Sequence, residues 1–215
     1  MRLTSRDVSM IATFSAAYVV LSLVPVSPFI GGPSILSLNL IIVPLIAILL
    51  PPVQAFLTAF MGSLVVFFVF PAALANIFGP TMLLMPIAGS TVGSVVARAK
   101  SKILRTLALA YYAFMILLFV IRIPQVPYWV IPHTAALVVA LFARRIAEPK
   151  LKVFALAFTA TMAEQACMMV LASWYLMLPW QVFAIAFPLM LYERVLATLG
   201  GGFLAFCVKK YIPER

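Results

Sequence analysis

RAKSKILRTLALAYYAFMILLFVIRIPQVPYWVIPHTAALVVALFARRIAEPKLK, residues 98–152, begins and ends in basic residues and carries two apolar runs between them. Arg98, Lys100, Lys102 and Arg105 stand at one end, and Arg144, Arg145, Lys150 and Lys152 at the other. Lys and Arg in short loops stay on the cytoplasmic side of a membrane, so this segment leaves that side and returns to it. The runs, 106–122 and 128–143, are joined by a turn bracketed by Pro124 and Pro127. Both are short for a hydrocarbon core of ~30 Å. The pair therefore reads either as a tight hairpin of two full spans or as a partly re-entrant element.

The same rule extends in both directions. Arg2 and Arg6 precede the first apolar run, and Lys209, Lys210 and Arg215 close the chain. Each gap between basic clusters fits an even number of crossings, which puts both termini inside. Spans are expected at roughly 8–24, 35–50, 53–70, 79–97, 106–122, 128–143, 153–176 and 182–207. The expected fold class is all-α: a polytopic α-helical membrane protein with six to eight transmembrane helices, residues 1–215 forming one integral membrane domain. Thr4 and Asp7 form a capping box for the first helix. Pro51-Pro52 separates the second span from the third, Pro71 ends the third, and Gly79-Pro80 opens the fourth. Pro44, Pro86, Pro132 and Pro188 fall inside spans and predict kinks.

Composition agrees. The chain is 66% hydrophobic and 9% charged, with mean hydropathy +1.19. A soluble domain of 215 residues has too little interior to hide that much apolar surface, so lipid is the solvent. The net charge of +10 sits in short loops beside apolar runs, where it orients the chain and meets anionic headgroups. No nucleic-acid partner is implied. Cys167 and Cys207 show no metal spacing and read as small core residues. The N-terminal run lacks an A-x-A cleavage site and reads as a retained first helix.

The inventory of reactive side chains is short: five acids and one histidine. A paired-aspartate protease, an HExxH zinc site, a GxSxG nucleophile and a phosphate-binding glycine loop are all excluded. No catalytic residue, metal or cofactor is expected, and the chain does not read as an enzyme. Two acids are nevertheless inside the membrane. Glu164 lies about 12 residues into its span from the cytoplasmic side, and Glu193-Arg194 about 12 into theirs from outside. A lone charge at that depth costs several kcal/mol, so Glu164 and Arg194 are expected to pair across adjacent antiparallel helices. Such a pair either fixes helix register or serves a proton or substrate relay.

Topology also gathers Asn39, Asn76, Arg122, Gln125 and His133 in or near the outer third, with Trp129, Trp174 and Trp180. An interfacial aromatic belt accounts for tryptophans without a ligand. It does not account for Arg122, the only charge expected at the outer edge, or for His133. Polar groups with aromatic walls resemble a small-molecule pocket open to the outside, with Arg122 as an anchor for a ligand carboxylate or phosphate.

Small residues recur four apart at Ala12/Ala16, at Gly89/Gly93 and at Ala197/Gly201/Ala205. Such faces let helices approach closely in lipid. The last two read as internal packing; the first reads equally as a seam or as a face for a partner.

The first helix, SMIATFSAAYVVLSLVP at 9–25, resembles the first helix of substrate-binding S components of energy-coupling factor (ECF) vitamin transporters. In that family an alanine-x-x-x-alanine face docks on the transmembrane coupling subunit, and Ala12 and Ala16 match it. GGPSILSLNLIIVPLIAILLPPVQAFLTAFMGSLV at 31–65 resembles the family's second and third helices. WQVFAIAFPLMLYERVLATLGGGFL at 180–204 resembles the last helix of archaeal-type members. The family has six helices, so the pair within 106–143 is a departure. The resemblance implies a cell-membrane protein that captures a vitamin-like solute from outside. It would dock on a coupling subunit driven by two ATPase subunits, and topple to release the solute inward. Two other readings compete: a stand-alone secondary transporter using Glu164, Glu193 and Arg194 as a proton relay, and a non-transport membrane protein.

Overall fold

The computed structural model describes residues 4–28, 35–70 and 77–209. Expectations for Asn76, Pro71 and the terminal Arg2, Lys210 and Arg215 lie outside those residues. Among the described residues there are eight α-helices: α1 Ser5–Leu21, α2 Ile42–Leu49, α3 Pro52–Val69, α4 Leu84–Arg98, α5 Lys102–Arg122, α6 Ile131–Phe142, α7 Pro149–Val170 and α8 Trp180–Lys209. A short antiparallel pair, β1 Pro25–Pro28 and β2 Ile35–Ser37, is the one addition to the all-α expectation. Five helical stretches are long and apolar enough to cross a membrane: Pro52–Val69, Gly79–Arg98, Lys102–Arg122, Pro149–Tyr175 and Trp180–Lys209. Leu38–Leu49 is apolar but shorter.

Local chemistry sets the helix starts. Thr4 and Asp7 form the expected box: the Thr4 amide donates to Asp7 Oδ2 at 2.9 Å, and the Asp7 amide donates to Thr4 Oγ1 at 3.3 Å. Ser101 caps α5 by accepting from the Leu104 amide, and Glu148 caps α7 by accepting from that of Leu151. Three of the four prolines expected to kink spans do something else. Pro44, Pro86 and Pro132 sit in the first turns of α2, α4 and α6, each directly after a 3-10 segment: Leu38–Ile41, Gly79–Leu83 and Pro127–Val130. Proline lacks the amide donor and its ring clashes with the carbonyl four residues back. The turn before it adopts tighter i+3 bonding, and the regular α-helix begins around the proline. Only Pro188 lies within a continuous helix.

The α2 helix is the hub, with all eight of its residues buried. It packs against α4, α7 and α8, and α4 packs along α7. Glycine makes this possible. A Cβ at Gly89 would stand 2.7 Å from Glu164 Cβ and 2.8 Å from Val43 Cγ1; one at Gly93 would stand 2.7 Å from Ala160 Cβ and 2.8 Å from Ala47 Cβ. Ala197, Gly201 and Ala205 of α8 are buried, Gly201 against Pro44. Both small-residue faces are internal seams, as the sequence suggests. Gly93→Ala is therefore expected to lower stability by about 1–3 kcal/mol, by overpacking. In an ordinary helix the same change stabilises by roughly 0.5–1 kcal/mol. The sign of the shift in thermal unfolding of the purified protein checks this.

The two inner basic clusters meet at one end of the bundle. Arg105 Nη2 donates to the carbonyls of Ala140 (3.2 Å) and Leu141 (2.7 Å). Arg144 donates to the carbonyls of Val96 (3.1 Å) and Ala99. Lys150 Nζ lies 5.9 Å from the Phe206 ring, which brings the end of α8 to the same side. These arginines satisfy carbonyls that helix C-termini leave without intrahelical partners.

Candidate functional site

Away from the basic end, α7 and α8 enclose a cavity of about 50 Å³. The α7 helix and its continuation present Gln165, Met168, Met169 and Ala172; α8 presents Val182, Phe183, Ala186, Leu189, Met190 and Glu193. Both sets follow spacings of three and four, so each is one helix face. Phe78 and Trp129 complete the lining, with Leu178 from the α7–α8 turn. Trp129 reaches the cavity because the 3-10 segment Pro127–Val130 turns the chain into α6. Its ring packs on Phe119, Phe183 and Phe187 at centroid distances of 6.1, 5.3 and 5.7 Å.

Few polar groups face this space, and all are deeply buried. Glu193 is 2% exposed, Gln165 1% and Trp129 3%. Trp129 Nε1 and Gln165 Oε1 have no hydrogen-bond partner among the described residues. A buried polar group without a partner costs about 1–3 kcal/mol, so one donor and one acceptor stand ready for a ligand. The volume holds only a few water molecules. Small-molecule pockets typically run to ~300–1,000 Å³, so a ring-sized ligand enters only as the walls rearrange. Met168, Met169 and Met190 suit that, because an unbranched thioether re-packs readily. The α7 helix ends in a π-helical turn, Leu171–Tyr175, followed by Met177 at φ 53°. That left-handed conformation is uncommon for a residue other than glycine.

Behind the cavity, Arg194 Nη1 donates to Glu164 Oε2 at 3.1 Å and to the Thr161 carbonyl at 3.2 Å. Both charged side chains are buried. The pair expected across antiparallel helices is present.

No protein-family model, curated protein or solved structure matches this chain.

The other expected site residues are elsewhere. Asn39 is a clasp: its Nδ2 donates to Ser22 Oγ at 2.9 Å and its Oδ1 accepts from Ser37 Oγ at 3.0 Å, tying the end of α1 to β2. Arg122 is exposed and does not line the cavity. It donates to the Ser173 carbonyl at 3.3 Å and lies 5.9 Å from the Trp174 ring, bracing α5 on the end of α7. Gln125 is exposed, and Trp174 and Trp180 are partly exposed, as an interfacial belt requires. His133 is wholly buried, with Nδ1 3.0 Å from the Trp129 carbonyl, while its own carbonyl accepts from Tyr112. It supports the turn that carries Trp129. Of the expected set, Trp129 and Glu193 line the cavity; Glu164 and Arg194 adjoin it in sequence and in space. Gln165, Phe78, Phe183 and the methionines were not expected there. The i, i+3, i+4, i+7 spacing of 165, 168, 169 and 172 was the available signal.

Ala12 and Ala16 lie outside the bundle packing. Both are exposed, and Val8 and Val20, 54% and 60% exposed, extend the same stripe. The opposite face of α1 holds the helix to α3, where Ser15 Oγ donates to the Thr58 carbonyl at 3.1 Å and Tyr18 packs on Gly62.

Proposed function

We propose that this chain is the substrate-capture subunit of an ECF-type importer in the cell membrane. In this reading it is multi-pass with both termini inside. It binds a vitamin-like solute between α7 and α8 and docks through α1 on a coupling subunit driven by ATPase subunits. The observation that carries the reading is the α7–α8 cavity, in which Glu193, Gln165 and Trp129 face apolar walls away from the basic end. The outward stripe through Ala12 and Ala16 supports the docking step, and the meeting of the basic clusters at one end supports the orientation.

The same geometry restricts the ligand. Its polar contacts would be the Glu193 carboxyl, the Gln165 amide oxygen and the Trp129 indole N–H. Two acceptors and one donor suit a ring that bears N–H donors. Charged hydrogen bonds are worth roughly 1.5–3 kcal/mol, so Glu193→Gln is expected to weaken binding about ten- to a hundredfold. Arg122→Gln, outside the cavity, is expected to leave binding unchanged. The test is to release small molecules from the purified protein by denaturation, identify them by mass spectrometry, and titrate the ligand calorimetrically into both variants. Uptake that requires co-expressed coupling and ATPase subunits supports an importer subunit. Uptake without them, abolished by an uncoupler, would make the chain a stand-alone secondary transporter.

A further inference from the structure

A second recess plays no part in that site. It is a groove of about 620 Å³ on the flank of the bundle, between α4 and α5, with α7 as its floor. Leu84, Ala88 and Val95 line one side, and Leu104, Ala108 and Met115 the other. The two helices are joined by the short turn 99–101, so the groove is a cleft that starts at the basic end and runs outward. From Leu104 to Met115, and equally from Val95 to Leu84, it follows 11 residues, ~16 Å of helix. That is close to half of a ~30 Å hydrocarbon core, the depth of one leaflet.

The basic residues at its closed end divide into two sets. Arg98, Arg105 and Arg144 are engaged with helix carbonyls, Arg98 through Nε to the Ile48 carbonyl at 3.0 Å. Lys100 and Lys102 are exposed and make no ion pair or hydrogen bond among the described residues. They flank Ser101, the cap of α5, so the positive end of a 21-residue helix dipole adds to their field. An apolar slot one leaflet deep, with two uncommitted cations at the headgroup level, matches one amphiphile: an anionic two-chain phospholipid.

We propose that this cleft is a binding site for an anionic phospholipid of the basic-side leaflet, one acyl chain lying between α4 and α5 and the phosphate held by Lys100 and Lys102. The site is independent of the α7–α8 cavity. The test is native mass spectrometry of the full chain in detergent, with equal phosphatidylglycerol and phosphatidylcholine of identical chains added. Retention of phosphatidylglycerol is expected to exceed that of phosphatidylcholine by about thirtyfold, two lysines each contributing on the scale of a juxtamembrane cation. Lys100→Gln with Lys102→Gln, two exposed changes that leave the packing alone, should remove the preference. Ala108→Trp should fill the slot and abolish retention of both lipids. Equal retention of the two lipids by the wild type, or an unchanged preference in the double lysine variant, overturns the proposal. So does a dimer that cross-links through a cysteine at position 108, since a second copy would then occupy the cleft.

Discussion

Glu164→Gln is expected to destabilise the protein by about 3–5 kcal/mol, the cost of leaving a buried charge without its partner. The substitution keeps the shape of the side chain and an acceptor oxygen, so it isolates the charge. The hydrogen bond alone is worth only about 0.5–1.5 kcal/mol, and a loss of that size would mean Arg194 stays compensated by other groups. Arg194 is 3% exposed and, besides Glu164, donates to the Thr161 carbonyl at 3.2 Å. The double variant Glu164→Gln, Arg194→Met removes both charges and should recover most of the loss. Unfolding of the two single variants and the double, in one detergent, gives the coupling energy directly. Additive losses would mean that the two side chains do not interact.

Ala12→Trp is expected to leave the isolated protein folded and ligand-competent while abolishing uptake. Ala12 is exposed, and exposed substitutions away from special features usually change stability by less than ~0.5 kcal/mol. A contact between small residues brings two backbones close together, and an indole wedged between them separates the helices. Ser15→Trp is the internal control: Ser15 is buried against α3, so the same bulk three residues along should disrupt folding. Co-purification with coupling subunits and uptake in cells report the docking step; thermal unfolding reports the fold. Full uptake in Ala12→Trp would remove the residue-level support for a docking face, and unfolding would place the face inside the bundle.

Much of the architecture was legible in the chain because water and lipid impose separate demands on it. Apolar runs between basic clusters located the helices to within a few residues, and the two inner clusters meet at one end of the bundle. Thr4 and Asp7 announced their cap, and two mid-span charges of opposite sign announced their pairing, since neither is tolerable alone in hydrocarbon. Pro44, Pro86 and Pro132 were expected to kink spans and instead stand at helix starts, because whether a proline kinks a helix or starts one depends on the turn before it.

The rotation of each helix about its axis was decided only by the tertiary structure. In a soluble protein a polar face marks the outside. Here α2 is apolar all round and central, while α5 is apolar and largely exposed, and composition does not separate the two. Packing separates them: α2, α4, α7 and α8 close where Gly89, Gly93 and Gly201 let them. That packing turned Gln165 and Glu193 into one cavity, turned Ala12 and Ala16 away from the bundle, and left Arg122 outside as a brace on Trp174. Hydropathy carries the depth of a residue along the membrane normal; the direction in which it points is a property of its neighbours, and they come from distant parts of the chain.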